Sequence, residues 1–148
     1  AQKAEKLCGS WDGDAGVARA HQVLRAEEAR ELVAEGVVFP SLRFTAGVHP
    51  NRLRSAGCET LEALRVLASS RWCAAVGECG VDYERMGSTR ETQLDWCLQQ
   101  VKLAVELGKP LFLHERERER GPPLGSTADL LRILETCGVE PSRACIHC

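Results

Sequence analysis

Four polar side chains each close a short apolar run in this sequence: His49 after RFTAGV, Glu78 after WCAAVG, His114 after PLFL and His147 after ACI. A continuous apolar run bounded by Gly or Pro suits a strand of a parallel sheet covered on both faces. In α/β folds, ligands gather at the carboxyl ends of such strands. Imidazoles and a carboxylate brought to one rim suit a divalent transition metal. Zn²⁺ and Mn²⁺ are the natural candidates, with Mg²⁺ where carboxylate and water dominate. Taken singly, each histidine has a plainer explanation as a half-buried ring bonded to a backbone carbonyl, and Glu78 as a carboxylate capping the next turn. The repetition of the same placement at all of these run ends makes that explanation poor.

Two neighbours extend the set. Asp82 is placed to orient a ligand or a bound water. Arg116, just after His114, is the position for a phosphate contact, because a guanidinium matches phosphate oxygens bidentately. The alternating charges from Glu115 to Arg120 read as a solvated loop whose mutual ion pairs contribute about 0 to 1 kcal/mol each. Cys145 and Cys148 form a Cys-x-x-Cys, but no second pair at finger spacing completes a tetrahedral site. Ser88 and Asp129 read as helix-start residues, not as a nucleophile and its partner.

The elements that must position these residues alternate. Glu5 to Trp11 carries a weak strand tail, and Val17 to Glu35 predicts a helix with Val23, Leu24, Leu32 and Val33 on one stripe, ended by Gly36. A strand over Arg43 to Val48 delivers His49, and Pro50 stops it. A helix over Glu59 to Ser69 is followed by the strand Trp72 to Glu78. Ser88 to Glu91 has the Ser-x-x-Glu form of a capping box and opens a helix with Leu94, Cys97, Leu98, Val101 and Val105 on one face, closed by Gly108 and Pro110. Leu111 to Leu113 forms a short strand ending in His114. Ser126 begins a helix, and Ala144 to Ile146 is the last strand. Strand and helix in alternation with short connections predict βαβ units and a parallel sheet.

Composition excludes several classes. At 148 residues, with 44% hydrophobic and 27% charged, the chain reads as one ordinary globular domain. A net charge of -2 lacks the basic footprint of a protein that coats nucleic acid, so any phosphate contact must be local. The cysteines lie mostly inside apolar-periodic segments and read as small core residues in a reducing compartment. No apolar run approaches the ~18 residues of a membrane span, and the opening residues show no charged-then-apolar pattern. Cytoplasm is the expected compartment, with the nucleus as the other. Ala1 in place of Met, and Cys148 directly after a strand-like run, read as cut ends.

Gly47-Val48-His49-Pro50, Val76-Gly77-Glu78-Cys79-Gly80-Val81-Asp82-Tyr83, Thr92-Gln93, Pro110 to His114 with Arg116, and Ile146-His147-Cys148 together resemble successive motifs of the TatD-like metal-dependent deoxyribonucleases. The resemblance runs from Arg43 to the end, and GECGVDY followed by PLFLH is its specific part. It implies an α/β, TIM-barrel-like (β/α) metal-dependent hydrolase fold, of which residues 1 to 148 would be a middle segment, since such a barrel typically takes ~250 residues. It implies a site with two divalent metal ions (Mg, Mn or Zn), bridged by Glu78 as the catalytic carboxylate, with His114 and His147 each ligating one. His49 and Arg116 would then stand near the substrate phosphate, with Asp82 supporting the ligands.

The partner so implied is DNA as substrate, with no membrane and no protein partner. The family's further ligands, a His-x-His on a first strand and an Asp on a late strand, have no counterpart in this sequence. The GPPLG loop at Gly121 to Gly125 is longer than the family's usual loop there. The expected mechanism is hydrolysis by a water activated between two metals ~3.5 to 4 Å apart. Two other readings stay open: an amidohydrolase-type barrel acting on another substrate, and a non-catalytic fragment or binding module.

Overall fold

The computed structural model describes residues 43–148. The strand expected at Glu5 to Trp11 and the helix expected at Val17 to Glu35 lie outside the described residues. Four parallel strands, β1 (Phe44–Ala46), β2 (Cys73–Asp82), β3 (Leu111–Arg116) and β4 (Ala144–His147), form one sheet in the order β1-β2-β3-β4. Helices α1 (Cys58–Ala68), α2 (Arg90–Glu106) and α3 (Ser126–Thr136) make the three crossovers. Strands laid down in chain order follow the pattern of a β/α barrel, whereas a doubly wound sheet would reverse its order at a switch point.

The core lies where the sheet meets the helices. Val76, Cys79 and Val81 of β2 and Leu113 of β3 are fully buried, as are Val101 and Ala104 of α2. The apolar runs and the three-and-four spacing select Val76, Leu113 and Val101 among these, but not Cys79, Val81 or Ala104, and Val105, expected on the same face of α2, is 50% exposed. The C-terminus of α2 is closed as the sequence predicts: Gly108 takes φ 62°, and the N–H groups of Gly108 and Lys109 reach back to Val105 O and Ala104 O. That is the Schellman arrangement, which a β-carbon at Gly108 would strain.

Several boundaries differ from expectation for local reasons. β2 continues past Glu78 to Asp82, and β3 past His114 to Arg116. The ladder between them absorbs one extra residue, Glu78, because pairing steps from Gly77–Phe112 directly to Cys79–Leu113. Glu78 is therefore a bulge residue within a strand and not a strand end. β1 stops at Ala46, and Pro50–Ser55 forms a 3₁₀ turn that apolar periodicity does not announce. The α2 N-cap is Thr89, whose hydroxyl accepts from Thr92 N. Ser88, the expected cap, instead keeps its hydroxyl buried.

Asp129 also departs from its expected role. It lies in the first turn of α3, but it is buried and accepts from Tyr83 Oη at 2.6 Å and from Arg90 Nε at 3.0 Å. It thus ties the end of β2 to the starts of α2 and α3. Burial pushes this carboxyl up, but the Tyr83 and Arg90 bonds outweigh it and leave the group below the usual carboxylate range.

The charged loop after His114 is more ordered than its alternating sequence suggests. The Glu117 carboxylate accepts N–H bonds from Arg118, Leu124, Gly125 and Ser126 at 2.7–3.1 Å, so it caps the start of α3 from across the loop. Desolvation opposes ionisation, yet these N–H groups bring its pKa down to about 2. A carboxyl held low in the folded state contributes stability that is complete above its ordinary 4.5 and lost as pH falls toward 2. Glu117→Gln should therefore lower the thermal midpoint at pH 7 and flatten the stability profile across that acid window. A melt series in which wild type and variant lose stability in parallel on acidification would rule this cap out.

Candidate metal centre

Three imidazoles converge on one oxygen. His147 Nε2 lies 2.8 Å from Glu78 Oε1, His114 Nδ1 lies 3.2 Å from it, and His49 Nε2 lies 3.6 Å from it. Ligand atoms of His49, Glu78 and His114 all lie within 4.8 Å of one another, the spacing of a cluster that could hold a cation. His49 and His114 pack with ring centroids 4.4 Å apart, and His147 stacks on Phe112 at 4.7 Å with the planes 8° apart. Residues far apart in the sequence meet here because each follows or interrupts a neighbouring parallel strand.

The backbone around Glu78 explains the local sequence. A β-carbon on Gly77 would lie 2.0 Å from Phe112 O, and one on Gly80 would lie 2.0 Å from His114 O. The glycines on either side of the bulge let β3 approach, and that approach brings His114 beside Glu78. The Gly77–Glu78 peptide bond is cis.

Hydrogen bonds sort the imidazoles into two kinds. His114 Nε2 faces Asp82 Oδ2 at 3.2 Å, with His114 5% exposed and Asp82 fully buried. An ionised carboxylate only accepts, so Nε2 carries the proton, and the neutral ring presents a bare lone pair at Nδ1. That Nδ1 is buried and has no hydrogen-bond partner, although a carboxylate oxygen sits 3.2 Å away. With a neutral His114 ring, two lone pairs facing each other at 3.2 Å repel unless a cation lies between them, so the donor set fits a divalent metal. In His49, Nδ1 accepts from Asn51 N at 3.1 Å. Its neutral ring therefore carries the proton on Nε2, on the side facing Glu78. His114 is disposed as a ligand, and His49 as a donor.

Asp82 is held from several sides. Its Oδ2 accepts from Asn51 Nδ2 at 2.7 Å and its Oδ1 from Arg85 N at 2.8 Å. Burial raises this carboxyl, but the Arg85 N–H, Asn51 and His114 outweigh burial and keep it below the ordinary range. Asp82 is thus in the acceptor form that the His114 tautomer needs. Asn51 is fixed in turn by Gly87 N, which donates to its Oδ1 at 3.1 Å.

Of the site residues read from the sequence, the structure brings Glu78, His49, His114 and His147 together and sets Asp82 against His114. Arg116 lies opposite Asp82 in the β2–β3 ladder, two residues beyond His114. Sequence reasoning passed over Asn51 and Gln100, and it named Gln93 only within the Thr92-Gln93 motif, without a role; both glutamines are buried on α2. Gln100 accepts from Val48 N at 2.7 Å and donates to Val48 O at 3.2 Å, just before His49. Gln93 does the same for Asp82, at 2.7 Å and 3.1 Å. Both backbones have left the ladder on the β1 side, and each side-chain amide stands in for the missing strand. The available signal was a pair of polar residues seven positions apart on the apolar face of a helix.

Consecutive parallel βα units carrying imidazoles and a carboxylate at one rim define a strand-end centre of the kind that β/α-barrel hydrolases build. A family model described as TatD related DNase matches residues 12–148, and the chain belongs to that family. A 3'-5' ssDNA/RNA exonuclease TatD of Cronobacter sakazakii is 37% identical over 122 residues, covering 82% of this chain and 43% of that protein. Its counterpart in Erwinia amylovora is 47% identical over 73 residues, covering 49% and 28%. The chain therefore spans less than half the length of these curated relatives. Among solved structures, that of YJJV, a TatD homolog from Escherichia coli, matches with a TM-score of 0.51 and 21% identity over 74% of this chain and 51% of that one. The likeness supports the TIM-barrel-like α/β fold.

Gln100→Leu keeps the volume but leaves Val48 N–H and C=O without partners. The expected cost is about 1–3 kcal/mol for each buried group, read as a lower denaturation midpoint in urea. An unchanged midpoint would show that the amide clamp carries no weight.

Proposed function

We propose that this protein is a divalent-metal-dependent nuclease that hydrolyses phosphodiester bonds of DNA. The observation that carries the proposal is the buried, unpartnered Nδ1 of His114 facing Glu78 Oε1, with the tautomer set by Asp82. Family membership supports it, as do relatives named as exonucleases of single-stranded DNA and RNA.

In this reading Glu78, His114 and His147 hold two divalent ions, Mg²⁺, Mn²⁺ or Zn²⁺. When bound, the ions supply Lewis-acid polarisation of the phosphate and a water of lowered pKa. Glu78 offsets the repulsion between cations, and Asp82 keeps the His114 proton on Nε2 so that Nδ1 stays available. His49 offers its Nε2–H to a phosphate oxygen, because its Nδ1 is committed to Asn51 N. Among the described residues no side chain pairs with the Arg116 guanidinium, which leaves its fork for the phosphodiester. A cytoplasmic setting belongs to the same proposal, supported by the cysteines of the described residues, which are all free. None of the described helices is long and apolar enough to cross a membrane.

Glu78→Gln keeps the shape and removes the charge. Hydrolysis of a single-stranded oligonucleotide with Mn²⁺ should fall by more than the ~10- to 100-fold that loss of a ligand's supporting partner costs, with Mn²⁺ binding weakened in calorimetry and the circular dichroism spectrum unchanged. Near wild-type turnover would overturn the assignment. Arg116→Ala should weaken binding of the same strand, leave metal content unchanged and reduce the salt slope by about 0.7. A loss confined to particular base sequences would point to base readout instead.

A further inference from the structure

A cleft between the 3₁₀ turn after His49 and the loop after Asp82 takes no part in the chemistry above. Leu53, Arg54, Met86, Ser88, Thr89 and Thr92 line it, and it is a shallow, open cleft of about 380 Å³. Leu53 is buried at one wall, while Met86 is a large apolar side chain left 44% exposed. Met86 is also the one non-glycine residue at positive φ among the described residues, at 46°. Its Sδ lies 3.8 Å from Gln93 Nε2, the amide that also holds Asp82.

One polar group at the rim of the cleft is unspent, and another is buried within its wall. Ser88 Oγ is buried without a hydrogen-bond partner, in a wall where the Thr89 and Thr92 hydroxyls already bond each other at 3.0 Å. An orphaned hydroxyl of this kind calls for a partner that the chain does not supply. Arg54 is anchored by Nε to Gly87 O at 2.9 Å, which fixes its stem and leaves its terminal N–H groups unpaired among the described residues. The cleft is one side chain away from the candidate metal centre. Asn51 bonds Gly87 N on the cleft side and Asp82 on the other.

We infer that this cleft receives one nucleobase of a single strand, beside the phosphate held at the metal centre. The inference rests on the nuclease reading and adds the place where the strand's next base sits. A polarisable thioether over an apolar wall suits the face of a flat aromatic ring. Arg54 at the rim suits a flanking phosphate. Binding of this kind tolerates every base but requires an unpaired one, because a base still in a duplex cannot turn into the cleft. The cleft would thereby favour single strands at a site whose metal chemistry is indifferent to strandedness.

Met86 is the only methionine in the sequence, so a methyl-¹³C methionine label reports on the cleft directly, with Met86→Leu assigning its signal. The full chain, kept metal-free with EDTA so that nothing is cut, is titrated with a thymidine tetranucleotide and with an abasic strand of the same backbone. Saturation is followed by fluorescence anisotropy. The Met86 methyl should move upfield under the ring current of a stacked base with the tetranucleotide and stay in place with the abasic strand. Met86→Ala should weaken tetranucleotide binding roughly two- to tenfold, the range a sulfur–aromatic contact supplies. A methyl unmoved at saturation, equal shifts with both strands, or no binding of either strand would overturn the inference. The readout needs no turnover, so nuclease assays with Mn²⁺ test the parent reading separately.

Discussion

The contact on which the rest of the site depends is the one between His114 Nε2 and the buried Asp82 carboxylate. It removes the ambiguity of an imidazole, because a proton committed to Asp82 leaves the other nitrogen bare. Every structural feature near it serves that pairing. Asn51 and Arg85 N hold Asp82 ionised, Gln93 grips its backbone, and Gly80 admits the His114 carbonyl at a distance that any side chain would block. Were Asp82 neutral or turned away, His114 could take either tautomer, and its approach to Glu78 would become an ordinary hydrogen bond.

Precision at this rim comes from α2 as much as from the sheet. Strands in a parallel sheet lose their backbone partners where they splay at the carboxyl ends, which is also where ligands must be held. Gln93 and Gln100, two helical turns apart, lie on the same buried face of α2. Each presents an amide that reproduces the donor–acceptor pair of a peptide unit, one to Asp82 and the other to Val48. A helix carrying two such amides sets the spacing between the end of β1 and the end of β2, and hence between His49 and Asp82.

The residues of the centre were legible because buried strands must be apolar, so a polar residue interrupting four such runs stands out without any structure. Helices α1, α2 and α3 were legible to within a residue or two from apolar spacing and from Gly108. What stayed hidden depends on contacts across the fold. The bulge at Glu78 is a property of the β2–β3 pairing and not of either strand alone. The cap that Glu117 provides for α3 spans seven to nine residues, and an alternating charged run looks the same whether or not one of its carboxylates turns inward. Asp129 sits where a first-turn acid belongs, so local pattern gave it the commonplace role, and only burial against Tyr83 and Arg90 shows otherwise. The roles of Gln93 and Gln100 were hidden by the same logic reversed, since a polar residue on a buried helix face is unfavourable until its backbone partner is known.

The placement of charge reconciles a net charge of -2 with the polyanionic substrate proposed above. Over a Debye length of ~8 Å at physiological salt, local arrangement outweighs total charge. Four acids at the carboxyl rim are held by their own partners: Asp82 faces Asn51 and His114, Asp129 faces Tyr83 and Arg90, Glu117 faces four backbone N–H groups, and Glu115 faces Ser126 and Thr127. The arginines of the segments that follow the strands, Arg52 and Arg54 after β1, Arg85 after β2, and Arg116, Arg118 and Arg120 at and beyond the end of β3, are not ion-paired among the described residues. The segments that follow the strands of the candidate centre thus carry guanidiniums without ion pairs among the described residues, and a guanidinium can take a phosphate bidentately. Because carboxylate and guanidinium face different partners, the rim keeps both charges without either neutralising the other, as the proposed binding of metal and nucleic acid requires.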